Sequence, residues 1–557
     1  MLLLVSCMLF LCDIYVLMVY AEWSSGDRSQ TVQWNYGTTG GSNGVAYHHF
    51  AVQEQALWSE VDQQAQWGDW YYTTSDAAGL TYASGSDSSV RGQFIMNGRL
   101  NNTKDTNYRA INDDYPTFGF AMDYGKVGTS SKNTVFSIFL AQQDPIQFDQ
   151  GSGLQPVPSY WLTQYSTNQD ALAFFHNDFR NVFGTCVSLD QKIQDDAVPA
   201  AGQDYLTVVS LAVRQAFGAL HLVGDSQNQY VFLKEISSNG NVNTVDVIFP
   251  ASPMLFYLNP SWVRLLLEPI YLVQQNGLWP EKFAIHDIGE HYPNATGHKS
   301  DDGVENLPIE ECGDMLILTL AYVQRSGDTR YISSRYTLLK QWADYLVQNT
   351  LIPAMQMSTD DFAGPLSNQT NLALKGIVAL EAMSILANMT ENSADGANYS
   401  TTAHNYIAQW QNLGIAQDAN PRHATLAYGM NDTHGLLYNL YADQYVQTNL
   451  VPRSIYQMQS DFYPTIFNEY GVPLDTRHSY TKSDWEMWCA AIADTNTRNK
   501  FLQVLAKWIN ETPTDGPATD LFDTDTGNYP FQPPFEARPV VGGWFSLLAL
   551  NSTGIPS

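Results

Sequence analysis

Ionisable and aromatic side chains gather in three loops of this sequence. The first, GLWPEKFAIHDIGEHYPNATGH followed by NLPIEECGDM, carries Trp279, His286, Asp287, His291, Glu310 and Glu311 among turn-forming Gly and Pro. The second, STDDFAGPLSNQTNLALKGI, sets Asp360 and Asp361 before a turn and Lys375 inside an apolar helix. The third, NEYGVPLDTRHSYTKSDWEMW, holds Asp475, Arg477, His478, Lys482, Asp484 and Glu486. A strand-like LKEIS adds Lys234 and Glu235 on opposite faces, with Asp246, Tyr257 and Asn259 as further residues able to border a cavity.

Carboxylates with a nearby His or Lys can activate a water with one acid and protonate a leaving group with another. Arg477 offers a planar fork for a carboxylate, and Lys375 in an apolar helix needs either a carboxylate partner or a ligand. The same residues have plainer uses. Asp287 suits an Asx turn, Glu310 and Glu311 suit a first helical turn, Asp360 suits a cap, and the third cluster suits a surface ion-pair network. Other chemistries lack their signatures. There is no Gly-x-Ser-x-Gly elbow, Ser-x-x-Lys set or P-loop, and the five cysteines form no Cys-x-x-Cys pair. No Glu-x-x-His or His-x-x-x-His stands on a helical pattern, so the expectation is catalysis without a metal or cofactor.

Two kinds of element must position these residues. From 21 to 198 the chain is rich in Gly, Ser, Asp and Tyr, and AQWGDWYYTTS, QFIMNGRL, PTFGFAMDYG and NTVFSIFLAQQ read as strands of a β-sandwich-like domain. Near Gly202 the pattern turns helical. NQYVFLKEIS and VNTVDVIFP, joined by SNGN, read as a hairpin, and about eleven helical segments complete 199–557. With no repeat of 34 or 40 residues, paired helices point to an (α/α)6 toroid of helical hairpins. Loops at one end of a toroid converge on its axis. Asp287, Glu311, Asp361 and Asp484 are therefore expected in one cleft, at least two of them within about 10 Å. Such crowding requires His286, Lys375 or Arg477 among them, or one acid that keeps its proton.

The 557 residues include 27 Lys and Arg against 56 Asp and Glu, a formal charge of −29, which excludes nucleic-acid binding and a polybasic hold on lipid. Hydrophobic residues at 44% supply more than one core. Residues 1–20 are apolar but contain Asp13 and no basic start. Two readings stand, a signal peptide or a displaced strand of a truncated domain; a stable membrane partner is not expected. Sequons at Asn101, Asn294, Asn368, Asn388, Asn398, Asn431, Asn510 and Asn551 point to N-glycans and an extracellular or cell-wall location.

These stretches resemble the fungal-type extracellular glutaminase A family. The likeness runs from YAEWSSGD through FLKEISSNGNVNTVDVIFPASPMLFYLNP, LWPEKFAIHDIGEHYPNATGH, IEECGDMLIL, STDDFAGPLSNQTNLALKGI and GVPLDTRHSYTKSDWE to EARPVVGGW. It implies a β-rich domain ahead of a six-helical-hairpin domain and hydrolysis of L-glutamine to L-glutamate and ammonia. Cys312 and Asp314 depart from the family pattern EESGNM, and the family enters YAEWSSGD from an earlier strand. On this reading Arg477 or Lys375 meets the substrate carboxylate, and Asp361 or Glu235 meets its ammonium. Glu311, Asp287 or Asp484 activates water, and His286 protonates the departing ammonia. Lys234, Tyr257 and Trp279 complete the expected substrate contacts. A glycoside hydrolase or carbohydrate-binding protein on the same toroid is the alternative.

Overall fold

The computed structural model describes residues 14–551, apart from 42–43, 128, 130–131, 300–303, 513–515 and 532–534. The chain forms two compact units. The first comprises residues up to Gln147 with 155–190 and 222–229; the second comprises 148–154, 191–221 and 230 onward.

The first unit is a sandwich of two antiparallel sheets. One has the order Ile14–Tyr20, Pro116–Asp123, Leu80–Ser86, and the other Phe136–Ala141, Asp69–Ser75, Val45–Val52, Thr31–Thr39, Arg109–Ala110. Alternating inward side chains from both sheets make one core, in which Phe118 stacks on Phe50 at 4.8 Å and Phe120 meets Tyr72 at 5.0 Å. Ile14–Tyr20 pairs along its whole length with Pro116–Asp123; Asp13 and the preceding residues lie outside the described ones. Not everything here is β. QFIMNGRL, read as a strand, falls mostly in the helix Asp87–Asn97, whose start is capped by Ser86 and whose end is closed by Gly98 at φ 63°. The consecutive apolar residues Phe94, Ile95 and Met96 hid the helical period, while the caps were legible. Asn168–Asn177 and the start of Phe179–Gly218 are also helical, and that second helix breaks at Ala201 and Gly202.

The second unit is a double ring of helices. Val245–Leu258 packs on Pro308–Ser326, that on Thr370–Met389, that on Leu440–Tyr445 and that on Ser483–Ile492. The last meets Pro539–Phe545 and Ser546–Asn551, which return to Val245–Leu258. These six inner positions, counted among the described residues, close a ring. Outside it lie the part of Phe179–Gly218 beyond the break, then Ser261–Gln275, Tyr336–Asn349, Ser393–Leu413, Arg453–Phe462 and Thr495–Glu511. Burial explains the division. Outer helices bury one stripe, whereas Thr370–Met389 is buried nearly all round. Thr370–Met389 is also the one described helix long and apolar enough to cross a membrane, and 83% of its apolar window is enclosed by the protein.

One helix was misread. VDVIFP, taken as the second strand of a hairpin, opens Val245–Leu258, and Gln229–Leu233 pairs instead with Leu220–Gly224. A helix apolar on every face shows no period, so β-branched residues dominated the reading. The glycines of EARPVVGGW serve ring closure. A Cβ on Gly542 would lie 2.6 Å from the Ala251 carbonyl oxygen and 3.0 Å from the Ala251 Cα. Backbone cannot yield as a flexible side chain would. Gly542→Ala is therefore expected to destabilise the protein by about 1–3 kcal/mol, read as a lower denaturant midpoint; an unchanged midpoint would refute this account of the closure.

Candidate functional site

The inner helices bring acids to their first turns: Asp246 on Val245–Leu258, Glu310 and Glu311 on Pro308–Ser326, Asp484 and Glu486 on Ser483–Ile492. All five are buried. Helix N-termini favour negative charge, but by only about 0.3–2 kcal/mol each, against several kcal/mol for burying an ion. Specific partners must supply the rest.

Lys375 is the first. Its ammonium is enclosed between Glu310 and Asp314, with the Phe249 ring 3.9 Å away. Gly313 makes room for it, since a Cβ there would lie 2.6 Å from Lys375 Cγ. Lys375 is thus bound to two carboxylates, and a substrate carboxylate would have to compete with them. Cys312 is buried in the same turn, and its Sγ accepts the Ala284 N–H at 3.2 Å, tying the His286 loop to this helix.

His286 lies at the centre of the acids. Nδ1 pairs with Asp287 Oδ2 at 3.0 Å, while Nε2 faces Asp246 Oδ1 at 3.5 Å and Glu305 Oε2 at 3.8 Å. Burial disfavours the imidazolium, yet the Asp287 hydrogen bond and the charges of Asp246 and Asp287 outweigh it and raise its pKa to about 10. Asp287 also accepts from His298 at 2.9 Å and from the Gly289 N–H at 2.7 Å. Burial opposes its ionisation, but these hydrogen bonds hold it well below the usual carboxylate range. Asp287 is therefore placed to orient His286. Trp279 stands behind it, its ring 6.3 Å from His298 and its indole N–H donating to Phe283 O at 2.9 Å.

A second network adjoins the first. Arg538 bonds Glu235 at 3.0 Å and Asp520 at 3.3 Å, and Lys482 stands 3.3 Å from Asp484 and 3.5 Å from Asp520. Burial pushes Glu235 up to about 7, against the Arg538 charge and with that of Asp246. Burial likewise raises Asp484 to about 6, with Lys482 opposing. Asp360 accepts from Tyr438 at 2.7 Å and from the Trp485 indole at 3.2 Å, and burial raises it to about 7. Glu305, half-buried, is also raised to about 7, by burial first, with His286 opposing and Asp361 and Asp246 adding. Glu311 is pushed well above the carboxylate range by burial and then by the charges of Asp246, Asp314 and Glu310.

Asp287, Glu311, Asp361, Asp484 and His286 thus belong to linked parts of one charge network, with Glu235 between them. Three further expected substrate contacts have these surroundings. The Tyr257 hydroxyl is held by Lys192 at 2.7 Å and Asp196 at 2.6 Å. Lys234 stands over the Tyr292 ring at 5.6 Å. Arg477 forks onto Asp475 within its own loop, at 2.7 Å through Nη2, and donates to Ala363 O at 2.9 Å. It borders a cavity of about 30 Å³ with Asp360 and Tyr438, room for about one water. Sequence reading missed Glu305, Asp520 and Arg538 as site residues. Arg538 lies in EARPVVGGW, where a cation in an otherwise apolar motif was the available signal.

Fold and site together define a six-hairpin α/α toroid with an acid-rich site of hydrolytic type. Residues 202–548 match the family model described as the glutaminase A six helical-hairpin domain, and 13–196 match one described as a domain of unknown function, DUF5127. The chain belongs to this glutaminase A family. It is similar to "Glutaminase A" of Aspergillus oryzae, 54% identical over 96% of this chain and 77% of that protein. It is also similar to "Probable glutaminase" of Arthroderma benhamiae, 33% identical over 95% of this chain and 72% of that one. A bacterial glucoamylase complexed with acarbose aligns over 97% of this chain and 85% of its own at 9% identity, with a TM-score of 0.46, too distant to bear on function.

Two outcomes are expected. Replacing Lys375 by Met strands Glu310 and Asp314, and should cost about 3–5 kcal/mol by denaturant unfolding; a loss below 1 kcal/mol would show that the triad holds little. The second concerns pH. Glu235, Glu305 and Asp360 have folded values of about 7 and Asp484 about 6, all above their unfolded values. At these groups the folded state binds more protons, and their stabilisation is complete below about pH 4 and lost as pH rises through 6–7; the buried His48, His176 and His221, lowered to about 4 by burial, oppose part of it below about pH 6.5. His286, raised to about 10, acts in the same direction from about pH 6.5 upward. Tm should be higher at pH 5 than at pH 8, and the reverse order would contradict these assignments.

Proposed function

We propose that the chain is an extracellular amidohydrolase that hydrolyses L-glutamine to L-glutamate and ammonia. The observation that carries this reading is the 54% identity to a protein named Glutaminase A along 96% of the chain. Site chemistry agrees with it. Hydrolysis requires a base to take a proton from water as its oxygen bonds to the side-chain amide carbon. The C–N bond then breaks, and the nitrogen must regain a proton to leave as ammonia. Glu305 suits both transfers: it is half-buried, lies beside His286, and has a pKa near neutrality. The surrounding carboxylates draw the α-ammonium of a glutamine zwitterion. Secretion is supported by the sequon side chains Asn101, Asn388, Asn398, Asn431 and Asn510, all exposed and so open to glycans.

Ammonia release from L-glutamine by the full chain tests the reading, with reducing-sugar release from a glycan panel alongside. Glu305→Gln should lower kcat by roughly 10²–10⁴, and kcat/KM of the parent should fall on the acid side of about pH 7. Sugar release without ammonia would transfer the chain to glycoside hydrolysis. Near-normal turnover by the Gln variant would remove Glu305 from the reaction.

A further inference from the structure

We infer that Asp246, His286 and Glu311 form a binding site for one divalent metal ion. One donor atom from each, two carboxylate oxygens and an imidazole nitrogen, lies within 4.8 Å of the other two. They come from the inner helices Val245–Leu258 and Pro308–Ser326 and from the loop between Ser261–Gln275 and Pro308–Ser326, so no local motif announces them. The set is built in two layers. His286 Nδ1 is taken by Asp287, itself fixed by His298 and the Gly289 N–H. This leaves Nε2 directed at Asp246 and Glu305, and a metal ion binding there displaces the Nε2 proton of the imidazolium. A carboxylate behind a ligating histidine is the usual means of fixing its tautomer toward a metal.

A separate observation shows that something is required there. Both carboxylate oxygens of Glu311 and Oδ1 of Asp246 are buried with no hydrogen-bond partner, in residues that are 0% and 8% exposed. The nearby ammonium of Lys375 is already shared by Glu310 and Asp314. A buried carboxylate without a donor is expensive; Asp246 Oδ1 has only the His286 ring, 3.5 Å away, and one metal ion would meet it and Glu311 together. Zn²⁺ binds such donors at about 2.0–2.2 Å in tetrahedral geometry, so two ligands stand about 3.3–3.6 Å apart. Binding must draw the three donors together, and the Glu311 carboxylate can move without breaking a hydrogen bond. One imidazole with two carboxylates suits Zn²⁺ or Mn²⁺ better than Ca²⁺, which takes oxygen ligands. The inference concerns binding, and stands whether or not glutamine is the substrate.

The test is metal content and uptake of the full chain. Protein stripped with chelator and titrated with ZnCl₂ or MnCl₂ should bind one equivalent per chain and gain in Tm. Asp246→Asn and Glu311→Gln should each weaken binding at least tenfold, and Asp287→Asn by roughly 10–100-fold through the ring it orients. If Glu311→Gln does not fold, Asp246→Asn carries the measurement. Absence of stoichiometric uptake of either ion would overturn the inference and leave a proton as the neutralising group on Glu311. Uptake equal in parent and variants would place the ion elsewhere and overturn it too.

Discussion

Negative charge gathered at the N-terminal ends of a closed ring of helices is the constraint on which the rest of this structure depends. Asp246, Glu310, Glu311 and Asp484 stand in first turns that face inward, where little water can screen them. Helix dipoles recover only a fraction of that burial. What completes the balance is specific: Lys375 between Glu310 and Asp314, Lys482 and Arg538 beside Asp520, His286 between Asp246 and Asp287. Several features of the scaffold serve these placements. Gly313 gives passage to the lysine stem, and Gly543 has Asp484 Cβ 3.0 Å from where its own Cβ would stand.

Cys312 and Asp314, where the resemblance implies Ser and Asn, are both integrated into this balance. Cys312 is inert in the sense that matters for catalysis, because burial pushes its thiol well above the ordinary range. Its sulfur does what a serine hydroxyl could do, accepting the Ala284 N–H. Asp314 differs more in kind. The aspartate gives Lys375 a second carboxyl partner, whose pKa burial, with Lys375 opposing and Glu310 adding, raises well above the usual value. The added carboxyl meets the lysine.

Much of the architecture was legible because it rests on periodicity. Outer helices such as Tyr336–Asn349 and Thr495–Glu511 carry apolar stripes, and strands such as Asp69–Ser75 carry β-branched and aromatic runs between turns. The errors share one cause. Val245–Leu258 is apolar on all faces and Asp87–Asn97 presents its apolar residues consecutively, so neither shows the period that identifies a helix. Site residues were legible as types and as loops. Their roles were not, since nothing local shows that Asp287 meets His298 or that Lys375 meets Glu310 and Asp314.

By itself the sequence determined the two-part plan, the helical hairpins, the acidic character and the loops in which His286, Asp287, Glu311 and Asp484 reside. These follow from local spacing and composition, which act over a few residues. Only the tertiary structure decided which acid meets which cation. Glu235 finds Arg538 across 303 positions and Lys375 finds Asp314 across 61, and the pKa of a carboxylate is set by burial and by those distant charges. Nothing in a linear pattern encodes that neighbourhood, because it exists only once the ring has closed.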